Sequence, residues 1–257
     1  MTATSTSTAR WAGRNAEKDT LRDRVWRALE HQGVNVGPVW SRIPNYVGAD
    51  AAALNLARMP AWKAAAIVKC NPDPPQIPVR LRALYDGKVV YAPVPELTLG
   101  FPFVKLDPAV LTAKGITFEL AATSQGFVEH GEPIAFEDMD PIDIVVVGCV
   151  AVTRAGGRTG KGGGFADLEL GIFRETGTVD AGTPVVTTVH SVQVVPDDDI
   201  VMLGHDSPLD WIATPDELIE TKTRHQRPTG VSWDFVQQDQ LDGIPFLKDL
   251  RGRLTGG

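Results

Sequence analysis

The most constraining stretch of this chain is the passage from an apolar run into a glycine cluster. Ile144-Val145-Val146-Val147 is apolar at every position, inside a β-branched run over residues 142–152. A strand that hides both faces belongs in the middle of a parallel sheet, where helices cover it from both sides. Shortly behind it comes Gly156-Gly157-Arg158-Thr159-Gly160-Lys161-Gly162-Gly163-Gly164-Phe165-Ala166-Asp167, and the spacing predicts a helix from 167 to 173. A glycine cluster between a buried strand and a helix start lets backbone N–H groups close on an anion. Arg158 can grip phosphate oxygens through two donors, and Lys161 adds a point charge. Asp167 suits a magnesium ion bridging those phosphates. The Walker A spacing is absent, and a dinucleotide-binding glycine motif fits poorly because the strand falls late in the chain. Residue types alone leave open a mobile surface loop with incidental charges.

The rest of the pattern alternates. Leu21, Val25, Trp26 and Leu29 recur at helical spacing over 16–29, decorated by Lys18, Arg22, Arg24 and Arg27. A second helical stretch spans 49–59 and is expected to close at Pro60. Residues 65–69 read as a buried strand, 77–85 as a helix, Asp86-Gly87 as a turn and 88–93 as a strand. Between them Asn71-Pro72-Asp73-Pro74-Pro75 can be neither helix nor central strand. A β-branched run over 184–195 is interrupted at His190-Ser191. Residues 209–213 form a short strand, and Thr214-Pro215-Asp216-Glu217 resembles a capped helix start. Strands alternating with helices imply a layered α/β domain with a mainly parallel sheet. The expected organisation is a disordered tail over 1–15, one domain over 16–223 and a wrapping extension over 224–257.

At 257 residues and 43% hydrophobic, the chain has ample material for one core. A net charge of −7 argues against a broad nucleic-acid face while permitting a local basic pocket. Cys70 and Cys149 lie far apart, which fits neither a disulfide framework nor a cysteine zinc site. No apolar run approaches bilayer length, and the Thr/Ser-rich N-terminus lacks an apolar leader core, so the expected setting is cytoplasmic. Asn71, Asp73, Gln76 and Arg80 are candidates for a substrate pocket, against a reading as a rigid proline-braced turn. His190 and His205 lack a third metal ligand at close spacing. His205-Asp206 reads as a structural turn, Cys149 as a buried thiol and Trp26 as core.

The stretch from 143 to 167 resembles the signature of the 5-formyltetrahydrofolate cyclo-ligase (methenyltetrahydrofolate synthetase) family. Its loop reads Gly-x-Arg-x-Gly-x-Gly-x-Gly-Tyr-Tyr-Asp, and Gly156, Arg158, Gly160, Gly162, Gly164 and Asp167 fall in register. Lys18 and Arg22 resemble the Lys-x-x-x-Arg of that family's first helix, Gly131-Glu132-Pro133 its Glu-Pro segment, and residues 205–215 its closing segment. The resemblance implies a single three-layer Rossmann-like domain using ATP and Mg²⁺ to close a ring on a small folate-type substrate. It further implies nucleotide contacts from Lys18, Arg22, Gly160, Gly162, Gly163, Gly164 and Phe165, a catalytic part for Arg158 and Lys161, and a metal at Asp167. The chain departs from the pattern at Phe165-Ala166, where the family has paired tyrosines. It also lacks the Glu-x-x-Thr expected after the first long strand, carrying Asn71-Pro72-Asp73-Pro74-Pro75-Gln76-Ile77-Pro78-Val79-Arg80 instead. That run, residues 90–97 and the ending Gly230-Val231-Ser232-Trp233 are similar to a paralogous branch, the methenyltetrahydrofolate synthetase domain-containing proteins. The branch resemblance implies a retained nucleotide site and an altered second substrate, such as a heterocycle connected with thiamin, or a non-catalytic binding module.

Overall fold

The computed structural model describes residues 10–256. Helices form where capping chemistry brackets an amphipathic run. In chain order they are α1 (Ala16–His31), α2 (Ala49–Leu56), α3 (Pro60–Ala64), α4 (Ile77–Tyr85), α5 (Pro108–Ala113), α6 (Phe118–Ala121), α7 (Ser124–His130), α8 (Phe165–Thr176), α9 (Gln238–Gly243) and α10 (Leu247–Thr255). Asn15 caps α1 by accepting from Lys18 N at 2.9 Å, with Glu17 and Asp19 in the first turn and His31 in the last. Pro60 does not simply close α2. It starts α3, because a proline's missing N–H is harmless in a first turn.

Among the described residues, eleven strands follow the β-branched runs: β1 (Ile67–Cys70), β2 (Val89–Pro93), β3 (Phe103–Leu106), β4 (Glu132–Ile134), β5 (Ile144–Val146), β6 (Ala151–Thr153), β7 (Arg158–Thr159), β8 (Val185–Thr188), β9 (Val194–Val195), β10 (Trp211–Ala213) and β11 (Leu218–Glu220). Eight make one sheet in the order β11-β10-β8-β5-β1-β2-β3-β4, and β7-β6-β9 make a second. The central run from β10 to β2 is parallel, and β11, β3 and β4 add antiparallel edges. The fold is therefore the expected mostly parallel α/β sheet with helices on both faces.

Period-two alternation divides the central strands between two cores. Val145 and Val147 pack with Phe103, Phe136 and Phe173 on the α8 side. Ile144, Val146, Val68 and Cys70 pack with Leu56, Trp62 and Phe127 on the other. Helix α1 covers the small sheet through Leu21, Val25, Trp26 and Leu29 against Val150 and Ala151.

Three local expectations are corrected. The run 142–152 is two strands, not one: the chain leaves the main sheet after β5 and enters the small sheet as β6. Both halves stay apolar because Cys149 and Val152 join the α8-side core while Val150 and Ala151 join that of α1, so the apolar pattern runs on through the break. The run 184–195 crosses likewise from β8 to β9. Gln193 bolts the two crossings together, its Nε2 donating to the carbonyls of Cys149 and Val150 at 3.0 and 3.1 Å. Finally, Thr214-Pro215-Asp216-Glu217 starts no helix. Thr214 Oγ1 accepts from Asp216 N and Glu217 N, which is cap-like, but the turn joins the antiparallel β10 and β11.

Residues 1–9 of the expected tail lie outside the described residues. Within the rest of that stretch Trp11 is buried, its ring meeting Phe165 edge-to-face at 5.6 Å. At the other end, Ile244, Leu247 and Leu250 join the α8-side core, so the segment after 224 lies along the domain.

Candidate active site

The C-terminal ends of β1 and β5, the glycine loop, α1 and the segment 230–240 enclose a cavity of about 250 Å³. Openings at the carboxyl ends of parallel strands are the ligand sites that this architecture provides. Side chains hold two of the loop's carbonyls. Arg22 Nε donates to Gly160 O at 2.7 Å, Arg14 Nη1 to Gly163 O at 3.1 Å, and Gln240 Nε2 to the same carbonyl at 3.0 Å. The N–H groups of Gly160, Lys161, Gly162, Gly163 and Gly164, by contrast, donate to no acceptor among the described residues. They lead into the N-terminus of α8, whose own first-turn donors are free by construction.

Two glycines are required here. Gly164 takes φ +73° as the residue before α8, and Gly162 takes φ +105°, where an added Cβ would sit 2.9 Å from Trp11 Cβ. Gly162→Ala therefore combines backbone strain with a clash, and should cost about 1–3 kcal/mol of stability. Urea denaturation checks this, and a variant within a few tenths of wild type would refute it.

The cations come in ion pairs. Arg158, 3% exposed, donates from Nη2 to Asp167 and from Nε to Ser207 O at 2.6 Å. Burial is the largest influence and opposes its charge, but Asp167, Cys149 and Asp206 together outweigh it and hold its pKa above the ordinary arginine value. Lys18 pairs with Asp206, and Arg22 with Asp19 at 2.5 Å. Lys161 stands 3.8 Å from Asp73, whose carboxyl pKa is raised by burial although Lys161 and Arg80 oppose the shift. Five lining cations (Arg14, Lys18, Arg22, Arg158, Lys161) thus share the cavity with five carboxylates (Asp73, Glu96, Asp167, Glu169, Asp206).

Of the residues singled out from sequence, Lys18, Arg22, Asn71, Asp73, Arg158, Gly160, Lys161, Gly162, Gly163, Gly164, Phe165 and Asp167 all line this cavity. Gln76 and Arg80 do not. Arg80 is fully buried and braces the chain by donating to the carbonyls of Ala122 at 2.8 Å and of Asn71. Gln76 is also fully buried, and its amide atoms have no partner among the described residues. The proline run is therefore half pocket and half brace. His205-Asp206 is more than a turn, since Asp206 receives Lys18 and both residues line the cavity.

Sequence reasoning missed Lys69 and Glu169, a fully buried pair at 2.5 Å beneath the cavity. The signal was a lysine inside a β-branched strand, which needs a buried partner. It also missed the wall made by Gly230, Val231, Phe235 and Gln240. Among the described residues no three His, Cys, Asp or Glu side chains gather as a metal cluster, and no helix is long and apolar enough to cross a membrane.

The sequence model of the 5-formyltetrahydrofolate cyclo-ligase family matches residues 14–215. Methenyltetrahydrofolate synthase domain-containing proteins of Mus musculus and Bos taurus are 39% and 38% identical over 238 and 236 residues. Those matches cover 92% and 91% of this chain, and 63% and 62% of the relatives, so the chain spans about three-fifths of their length. The NMR structure of Aquifex aeolicus 5,10-methenyltetrahydrofolate synthetase superposes with a TM-score of 0.50 at 20% identity. It covers 80% of this chain and 95% of its own, and so shares the fold.

Proposed function

Because this chain belongs to the 5-formyltetrahydrofolate cyclo-ligase family, we propose that it is an ATP-dependent cyclo-ligase, closing a ring between a formyl carbon on one folate nitrogen and a second nitrogen. The observation that carries the reading is the row of acceptor-free loop amides at residues 160–164, flanked by Lys18, Arg22, Arg158 and Lys161. Amides with no acceptor of their own are free to donate to a polyphosphate. The terminal phosphoryl group of ATP passes to the formyl oxygen and ADP leaves. The second nitrogen, N10 of the folate, then attacks the formyl carbon and loses its proton, and the C–O bond breaks to release phosphate. Activation is needed because an unmodified formamide oxygen is a poor leaving group. Lys161, held loosely at 3.8 Å from Asp73, is the cation best able to swing onto a transferring phosphoryl group.

The balance of five cations and five carboxylates bears on the metal. A bare polyphosphate would meet as many negative as positive groups, so nucleotide is expected to bind as its magnesium complex. Among the described residues Asp167 accepts from Arg158 and Ser207 N through Oδ1 alone, so its Oδ2 would be available to hold a divalent ion. There the ion would neutralise charge building on the phosphates.

The segment 230–240 favours a second reading in which the other substrate differs. It supplies a wall of the cavity from outside the residues matched by the family model. Calorimetry and product assays separate these. Saturable MgATP binding, weakened roughly tenfold or more by EDTA, is expected under either reading. Formation of 5,10-methenyltetrahydrofolate from 5-formyltetrahydrofolate, seen as its ultraviolet absorbance, is expected only under the first. Absence of nucleotide binding by the wild-type chain sinks both.

A further inference from the structure

At the inner end of the cavity Lys69 holds two side chains side by side. Its Nζ donates to Asn71 Oδ1 and, at 2.5 Å, to Glu169 Oε2. Lys69 and Asn71 share a face of the β1 extension by period two, and Glu169 reaches them from α8. All three are buried, with Asn71 8% and Glu169 3% exposed, and the last two line the cavity. An ammonium can only donate, so the amide of Asn71 is oriented with its oxygen on Lys69 and its NH₂ turned away. That leaves one donor, Asn71 Nδ2, and one acceptor, Glu169 Oε1, neither with a hydrogen-bond partner among the described residues. Neither atom is among the fully enclosed unpartnered ones, so both open onto the cavity, where a ligand can pair with them in place of water.

We infer that Asn71 and Glu169 are the specificity-determining pair for the second substrate, reading a neutral ring edge on which a C=O acceptor sits beside an N–H donor: a cyclic amide. The C=O takes Asn71 Nδ2 and the N–H gives to Glu169 Oε1. Lys69 cancels the carboxylate's charge, so the floor is neutral overall, while an anionic ring edge would meet Glu169 directly. This rests on the ligase reading only for the existence of a second substrate in this cavity. The donor–acceptor pair itself follows from the hydrogen bonding.

Two near-isosteric substitutions each invert one of these groups. Asn71→Asp turns the donor into an acceptor, and Glu169→Gln presents an amide where the carboxylate stood. The probe is 5-formyltetrahydrofolate, whose ring carries a cyclic amide. The control is p-aminobenzoylglutamate, the remainder of that molecule without the ring. With thermal melts establishing that the variants fold, each is expected to lose about ten- to hundred-fold in affinity for the probe. Weak control binding should be unchanged, and MgATP affinity should fall far less than probe affinity, whereas a merely structural role would lower both alike. The inference is overturned if folded variants bind the probe as wild type does, if probe and nucleotide weaken in parallel, or if wild type binds MgATP but not the probe. In the last case the nucleotide reading still stands. Should neither variant fold, Asn71→Ser, which removes the amide NH₂ and leaves an oxygen for Lys69, supplies the same comparison.

Discussion

Arg158→Ala is expected to cost about 3–5 kcal/mol of stability, before any ligand is considered. The guanidinium is almost wholly buried and carries two bonds, one to Asp167 and one to the Ser207 carbonyl. Removing it leaves the carboxylate with only the Ser207 N–H at 2.8 Å and strips the carbonyl of that donor. For a chain of this size the melting temperature should fall by roughly 10 °C. Arg158→Lys keeps the charge but not the fork that spans both acceptors, and should recover part of the loss. Guanidinium denaturation of the three proteins decides the matter: a variant within 1 kcal/mol of wild type (on the order of one buried hydrogen bond) would mean that the pair is not what holds the loop to the 207 turn. Activity assays on Arg158→Ala acquire meaning only after that comparison.

Lys69→Met should be comparably damaging, and in a pH-dependent way. Burial raises the pKa of Glu169 even beside Lys69, which opposes the shift. With the lysine gone the carboxyl is driven higher still. A carboxyl whose folded pKa exceeds its unfolded one makes the folded state bind more protons, so stability falls as pH rises through that window. The variant is therefore expected to lie about 3–5 kcal/mol below wild type at neutral pH and to regain ground on acidification. Adding Glu169→Leu should restore most of the loss, because an apolar pair replaces a stranded charge. A deficit that is flat with pH, or a double variant no better than the single, would contradict this account.

How far the sequence could be read depended on whether the information was local. Helix α1 and the helix at 77–85 were legible because caps, prolines and apolar spacing all lie within a few residues of each other. The glycine loop was legible because a positive φ and a close backbone approach leave glycine as the residue of choice. The sheet-to-sheet crossings at Gly148 and Val189 were not, because both cores demand the same apolar residues. The hairpin at Thr214 was misread for a related reason: one threonine hydroxyl makes the same bonds at a helix start and at a turn, and only pairing of β11 with β10 tells them apart. Glu169 was hidden differently. Its partner lies 100 residues away, and on a helix a lone carboxylate reads as solvated surface until the strand beneath is known.

The carbonyl of Gly163 is gripped at once by Arg14 and Gln240, and Arg14 in turn holds Asp239 at 2.5 Å. Segments more than 220 positions apart in sequence therefore share one peptide group at the mouth of the cavity. Fraying of either segment would release that peptide to rotate and scramble the dipoles that receive an anion. An occupied loop would in turn lock both segments down, making them one cooperative opening unit with the loop rather than loose ends.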